Sequence, residues 1–276
     1  MMEPGSPEVV QTPDKGVADI LVEAFRLYRA HAKPLLLTCA LLFVPAAIVN
    51  SLARAAILGP TIAMAQTGDP ATVAMAGTFW IYMLGLAGTL VTGFFLYGII
   101  VPLTNGALTI AVADRILGGN AGWREVWMLL FRRLGLLMSA VIPAAIVVAI
   151  GCVFFLIPGL VCALFFAFVS PVVLIEGIGG RAALERSTTL VRSDWLRVAL
   201  VLLSFALVRG LAQVVGTALV APGSIFFGSL LSDLVTMVLL PIPVLGAVLL
   251  YFDIRRKLEN FTPDNLRTDL DALKSS

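Results

Sequence analysis

Between Pro70 and Ala113 the chain carries no Asp, Glu, Lys, Arg or His. A hydrocarbon core is crossed by ~20 apolar residues, and this run would reach ~66 Å as one continuous helix at about 1.5 Å per residue. Further uncharged runs occupy Pro34–Leu52, Leu134–Ile175, Ala199–Val208 and Leu234–Phe252. The chain is 59% hydrophobic and 13% charged, with a mean hydropathy of +1.00. Soluble domains carry about 25% charged residues. The expected fold class is therefore all-α, a polytopic integral membrane protein. Residues 17–257 form the membrane domain, between a polar N-terminal segment, 1–16, and a polar tail, 258–276. Neither polar end is long enough to bury a core. Glu3, Glu8, Asp14 and three prolines in Met1–Lys15 are the reverse of a basic signal-peptide region, so the first span is read as an uncleaved anchor.

Thr12-Pro13-Asp14 has the form of a helix start. From Val17 the pattern turns amphipathic: Ile20, Leu21, Ala24, Phe25 and Tyr28 share one face, and Asp19, Glu23, Arg26 and Lys33 the other. Such a helix lies in the membrane interface. The first span follows, Pro34–Ser51. The second starts near Val73 and ends near Pro102, because Thr104-Asn105-Gly106 comes too late to be the turn of a tight pair. The chain then leaves the membrane through Asp114-Arg115. Trp123, Val126, Trp127, Leu130, Phe131 and Leu134 mark a second interfacial helix. Span three is Leu134–Phe155, Pro158-Gly159 the reversal, and span four Leu160–Ile175. A third interfacial helix covers Ala182–Arg197. Span five is Val198–Leu219, and span six ends at Tyr251-Phe252-Asp253.

Six spans place every Lys and Arg except Arg54 and Arg209, of 19 in all, on one side. Cytoplasmic segments carry the Lys/Arg excess, so both termini are expected in the cytoplasm. Three units share one plan, an interfacial helix followed by a span out and a span back. Their charge pairs are Glu23 with Arg29, Glu125 with Arg132, and Glu185 with Arg192. Pro-Ala-Ala-Ile-Val recurs at Pro45 and Pro143. The pattern predicts a threefold parallel repeat about an axis along the membrane normal.

The stretch Ile157-Pro158-Gly159-Leu160, Phe165 to Pro171, Leu174-Ile175-Glu176-Gly177, Gly180, Ala183 to Ser187, Leu190-Val191-Arg192 and Asp194-Trp195, closed by Tyr251-Phe252-Asp253-Ile254-Arg255, resembles the membrane domain of glycerophosphodiester phosphodiesterases and related stand-alone bacterial membrane proteins. The likeness covers nearly the whole chain. It implies a six-helix module in the bacterial inner membrane. In bifunctional members a separate soluble barrel performs the hydrolysis, and no barrel fits in this sequence. Within the motif, Pro158, Gly159, Glu176, Gly177, Arg186, Ser187, Trp195, Asp253 and Arg255 are read as structural. Glu176 either caps the third interfacial helix or pairs with Arg181 or Arg186.

Ionisable residues inside a bilayer mark function by default. Arg209 stands twelve residues beyond Arg197, roughly 18 Å deeper, and Asp233 opens span six. The two are expected to meet near the outer leaflet, with Arg54 at the same level. They form either a structural ion pair, with Arg209 snorkelling outward, or a site for an anionic phospholipid headgroup.

Cys39, Cys152 and Cys162 lie in apolar runs and are read as buried, inert thiols without disulfide or metal spacing. A lone His31 builds no metal site, and no cofactor is expected. No Ser-Lys, Ser-His or aspartyl pair can be assembled from the spans, so no enzyme is expected. No acid or amide cluster sits at mid-depth, which disfavours proton-coupled transport. The sequence favours a non-enzymatic module organising lipid or a protein partner at the cytoplasmic leaflet. The alternative is a lipid-handling protein with its headgroup site around Arg209 and Asp233. Membrane lipids are the expected partners, and nothing calls for nucleic acid.

Overall fold

The computed structural model describes residues 16–66, 100–218 and 225–259, with Met83, Ala87, Gly88, Asn265, Arg267 and Thr268; at 57–66, 153, 209, 212–213, 215–218 and 225 it describes the backbone alone. Among the described residues every regular element is helical. These are α1 (Val17–Gln66), α2 (Val101–Ile116), α3 (Trp123–Arg132), α4 (Leu134–Phe154), α5 (Leu156–Phe165), α6 (Gly180–Ser193), α7 (Trp195–Ala218), α8 (Ile225–Leu239) and α9 (Pro241–Glu259). A helical turn Val169–Pro171 and a π-helical turn Val172–Glu176 continue the line of α5. The chain divides into two compact units: Met1–Thr38 with Leu103–Leu207 and Leu240–Ser276, and Cys39–Pro102 with Val208–Leu239.

In the first unit three amphipathic helices each break at one residue and run into a long apolar helix. The first break is His31 (φ −125°, ψ 26°) inside α1. Pro34 explains it, because its ring clashes with the carbonyl four residues earlier and it lacks an N–H. The second is Arg133 (φ −102°, ψ 13°) between α3 and α4, its N–H bonded to Leu130 O at 3.1 Å. The third is Asp194 (φ −149°, ψ 46°) between α6 and α7, its N–H bonded to Val191 O at 3.2 Å. The third helix thus spans Gly180–Ser193 rather than the expected Ala182–Arg197. Asp competes with the helical backbone through its own carboxylate, which places the break before Trp195.

The reversal between spans three and four also comes earlier than expected. Phe155 alone is extended (φ −152°, ψ 117°), and Pro158 sits in the first turn of α5. A proline costs nothing there, since the first N–H groups of a helix have no partner within it. Gly159 instead lets the hairpin close: a Cβ on Gly151 would lie 2.8 Å from Gly159 Cα, and one on Gly159 2.8 Å from Cys152 Cα. α5 stops after Phe165, and Ser187 of α6 repairs the gap. Its hydroxyl donates to Phe165 O at 2.8 Å and accepts from Phe168 N–H at 3.2 Å.

Four stretches of the described residues are long and apolar enough to cross a membrane: Val17–Ala56, Leu134–Cys152, Leu156–Glu176 and Phe226–Glu259. The 21 residues of α4 reach ~31 Å, the thickness of a hydrocarbon core. Its Ile142, Ile146, Ile150 and Phe154, spaced four apart, are 52 to 73% exposed. An apolar stripe of that length turned outward suits lipid rather than water. α7 turns Leu196, Leu200, Leu203 and Leu207 outward in the same way, and its shorter apolar part is Trp195–Val208. The expected second span from Val73, and with it the number of crossings in 70–113, lies mostly outside the described residues. The helix expected to follow it out of the membrane is α2, where Gly106 to Asp114 are buried. Of the thiols, Cys39 is buried but Cys152 is exposed. That corrects the reading of three buried thiols: an apolar run places a residue in the membrane and does not choose between protein and lipid.

Candidate functional site

One group of charged residues in the first unit gathers where the middle of α6 meets the ends of α9 and of the π-helical turn. The turn delivers Glu176 and then reverses at Gly177 in the left-handed conformation (φ 70°), which glycine adopts without steric cost. A side chain there would also press on Arg133 Nη1, 3.1 Å from its Cβ. Arg133 donates to Leu174 O at 3.3 Å, so the start of α4 is tied to the end of the facing span. Gly180 N–H adds a bond to Ser139 Oγ at 3.0 Å.

The Glu176 side chain is almost fully buried and shared. Tyr251 Oη donates to its Oε1 at 2.6 Å, and Arg186 Nε to its Oε2 at 2.9 Å. Arg255 Nε lies 3.7 Å from Oε1, and its Nη1 donates to Tyr251 Oη at 3.2 Å. Glu259 closes the ring, accepting from Arg255 Nε at 3.0 Å and from Arg186 Nη2. Tyr251 is fully buried, its ring 5.9 Å from Phe168 edge to face. Burial works against the Arg186 charge, but the hydrogen bonds and charges of Glu176 and Glu259 outweigh it and raise its pKa above the ordinary arginine value. Beside this ring, Asp253 binds Arg197 at 2.7 Å and Arg256 at 3.0 Å. Asp194 takes Arg197 at 3.4 Å and Lys257 at 3.8 Å.

Of the motif residues, Glu176, Arg186 and Arg255 thus share one lattice, Asp253 an adjoining one, and Ser187 mends α5. Arg181 pairs instead with Glu185 on the exposed side of α6. Trp195 stands apart, 55% exposed at the start of α7. Tyr251 and Asp194 stand in the motif without a role of their own, and Glu259 and Arg197 lie outside it. The spacing Tyr251, Arg255, Glu259, four residues apart on one helix face, is the signal that points to Tyr251 and Glu259. Charges bonded to one another this fully hold helix ends together. Among the described residues no three of His, Cys, Asp or Glu come together to hold a metal ion.

The outward face of α3 is different. Val126, Trp127, Leu129 and Leu130 are buried, and Trp127 Nε1 donates to Thr38 O of α1 at 3.2 Å. Arg124, Met128, Phe131 and Arg132 remain exposed. Together with Trp123 and Trp127 they line one open groove, and Arg124 stacks 5.1 Å over the Trp123 ring.

In the second unit Asp233 is buried, but it does not open a span. It lies eight residues inside α8. Its partner is Asn50 of α1, whose Nδ2 donates to Asp233 Oδ2 at 2.7 Å. Arg54, one turn beyond Asn50, acts on Asp233 through its charge. The side chain of Arg209 lies outside the described residues. Asn50 was not anticipated, although an amide four residues before an arginine in an apolar run marks one polar face.

Comparison of the chain with protein-family models, with characterised proteins and with solved structures finds no match.

Proposed function

We propose that this chain is a non-enzymatic membrane module that gathers anionic lipid along its cytoplasmic rim. Six spans, cytoplasmic termini and a threefold repeat belong to this reading, as does kinship with the phosphodiesterase membrane domains. The three breaks support the repeat: they fall eight residues after Glu23, eight after Glu125 and nine after Glu185.

The observation that carries the function is the outward face of α3. It sets the exposed Arg124 and Arg132 beside Met128, Phe131 and the half-buried Trp123. Basic residues at a membrane surface attract anionic headgroups by ~1 kcal/mol each, and aromatic rings anchor at that depth. A protein partner with an acidic, apolar face would compete for the same groove.

The test is tryptophan quenching by brominated lipid in reconstituted protein carrying Trp80→Phe and Trp195→Phe. Brominated phosphatidylglycerol is expected to quench Trp123 and Trp127 more than brominated phosphatidylethanolamine at equal content. Arg124→Gln and Arg132→Gln are each expected to cut the local enrichment roughly fivefold. Equal quenching by both lipids rules the reading out.

A further inference from the structure

A second site lies in the second unit, independent of the cytoplasmic rim. Asn50 is sixteen residues beyond Pro34 in α1, ~24 Å along the helix, so the site belongs to the end of the span farthest from the amphipathic segment. Three polar residues share that face. Asn50 is 4% exposed and Ser51 fully buried, and Arg54 follows one turn on. α8 meets Asn50 with Asp233, 5% exposed.

The hydrogen-bond capacity of this cluster is not used up. Asn50 takes one carboxylate oxygen of Asp233, and among the described residues no donor reaches the other. Among the described residues neither Ser51 Oγ nor Arg54 Nε, both buried, has a hydrogen-bond partner. Arg54 acts on Asp233 through space and makes no hydrogen bond to it. A cation and a carboxylate held near each other in a membrane without bonding are costly. A ligand that bonds both relieves that cost.

The two charges also select the ligand. A simple anion drawn to Arg54 meets Asp233, and a simple cation drawn to Asp233 meets Arg54. A zwitterion with its charges a few bonds apart satisfies both. We propose that this cluster binds a phosphoethanolamine group, with the phosphate on Arg54 and Ser51 and the primary ammonium on the open oxygen of Asp233. An ethanolamine phospholipid of the leaflet at that end is one source, and a soluble phosphoethanolamine ester the other.

Native mass spectrometry of the full chain tests this, with Arg124→Gln and Arg132→Gln present to silence the α3 rim. The protein is offered equal amounts of phosphatidylethanolamine, phosphatidylcholine and phosphatidylglycerol. It is expected to retain phosphatidylethanolamine about tenfold over the other two, the factor supplied by one charge-assisted hydrogen bond. A quaternary amine cannot donate to Asp233, and a glycerol carries no charge. Asp233→Asn keeps the shape and the bond to Asn50 and is expected to abolish the preference. Arg54→Gln is expected to lower retention of all three. Displacement by glycerophosphoethanolamine assigns the site to a soluble ester, and resistance to it assigns the site to the lipid. Equal retention of the three lipids, or a preference that survives Asp233→Asn, overturns the proposal. Should Asp233→Asn fail to fold, the ranking of the three lipids by the parent chain decides alone.

Discussion

Glu176 shows how much one carboxylate can hold in place. It receives Tyr251 and Arg186 directly and lies close to Arg255. Removing it leaves guanidinium groups buried and short of partners. Glu176→Ala is therefore expected to cost about 3–5 kcal/mol. Tyr251→Phe removes the bond to Glu176 and the one from Arg255 Nη1, but Arg186 still holds the carboxylate and Glu259 still holds Arg255, so it is expected to cost about 1.5–3 kcal/mol. Thermal unfolding of both variants in one detergent checks the order, and a Tyr251→Phe protein less stable than Glu176→Ala contradicts this account of the lattice. The sequence made part of it legible. Glu176 and Arg186 stand out as charges beside an apolar span, and Arg255 follows one directly. The role of Glu259 depends on contact across 73 residues, which local spacing does not reveal.

At the scale of the helix, apolar runs and charges located the amphipathic helices and, of the expected spans, the pair now seen at Leu134–Cys152 and Leu156–Glu176. Helix ends were less legible. The turn at Phe155 carries no polar residue, and proline there reads as a reversal when it is the first turn of the next helix. What closes the α4–α5 hairpin is the mutual approach of Gly151 and Gly159, a property of the pair rather than of either position. Pro158→Ala is expected to change stability by less than about 1 kcal/mol, since no N–H bond is lost or gained in a first turn. Gly159→Val forces a side chain against the Cys152 backbone and is expected to cost about 1–3 kcal/mol. Apparent melting temperatures of the two variants separate these cases. A larger loss at Pro158 than at Gly159 would return the reversal to the proline.

For the whole molecule we propose six crossings, on the placement of charge. A helix exposing Ile142, Ile146, Ile150 and Phe154 must face lipid along its length. Asp114 and Arg115, which follow the long uncharged run, bind the loop after α2: Ala121 N–H donates to Asp114 Oδ2 at 2.8 Å, and Arg115 to Gly119 O at 3.0 Å. Charges spent on a loop in this way belong at an aqueous boundary, and α3 with its basic face begins directly after it. One crossing between Thr67 and Asn120 puts those residues on opposite sides, and two crossings put them on the same side. In a chain with Cys39, Cys152 and Cys162 replaced by alanine, Thr67→Cys is expected to react with an impermeant thiol reagent on intact spheroplasts. Asn120→Cys and Arg181→Cys are expected to react only after permeabilisation. Labelling of Thr67→Cys and Asn120→Cys from the same side would require two crossings. The basic loops would then be divided between the two faces of the membrane, against the tendency of Lys and Arg to remain in the cytoplasm.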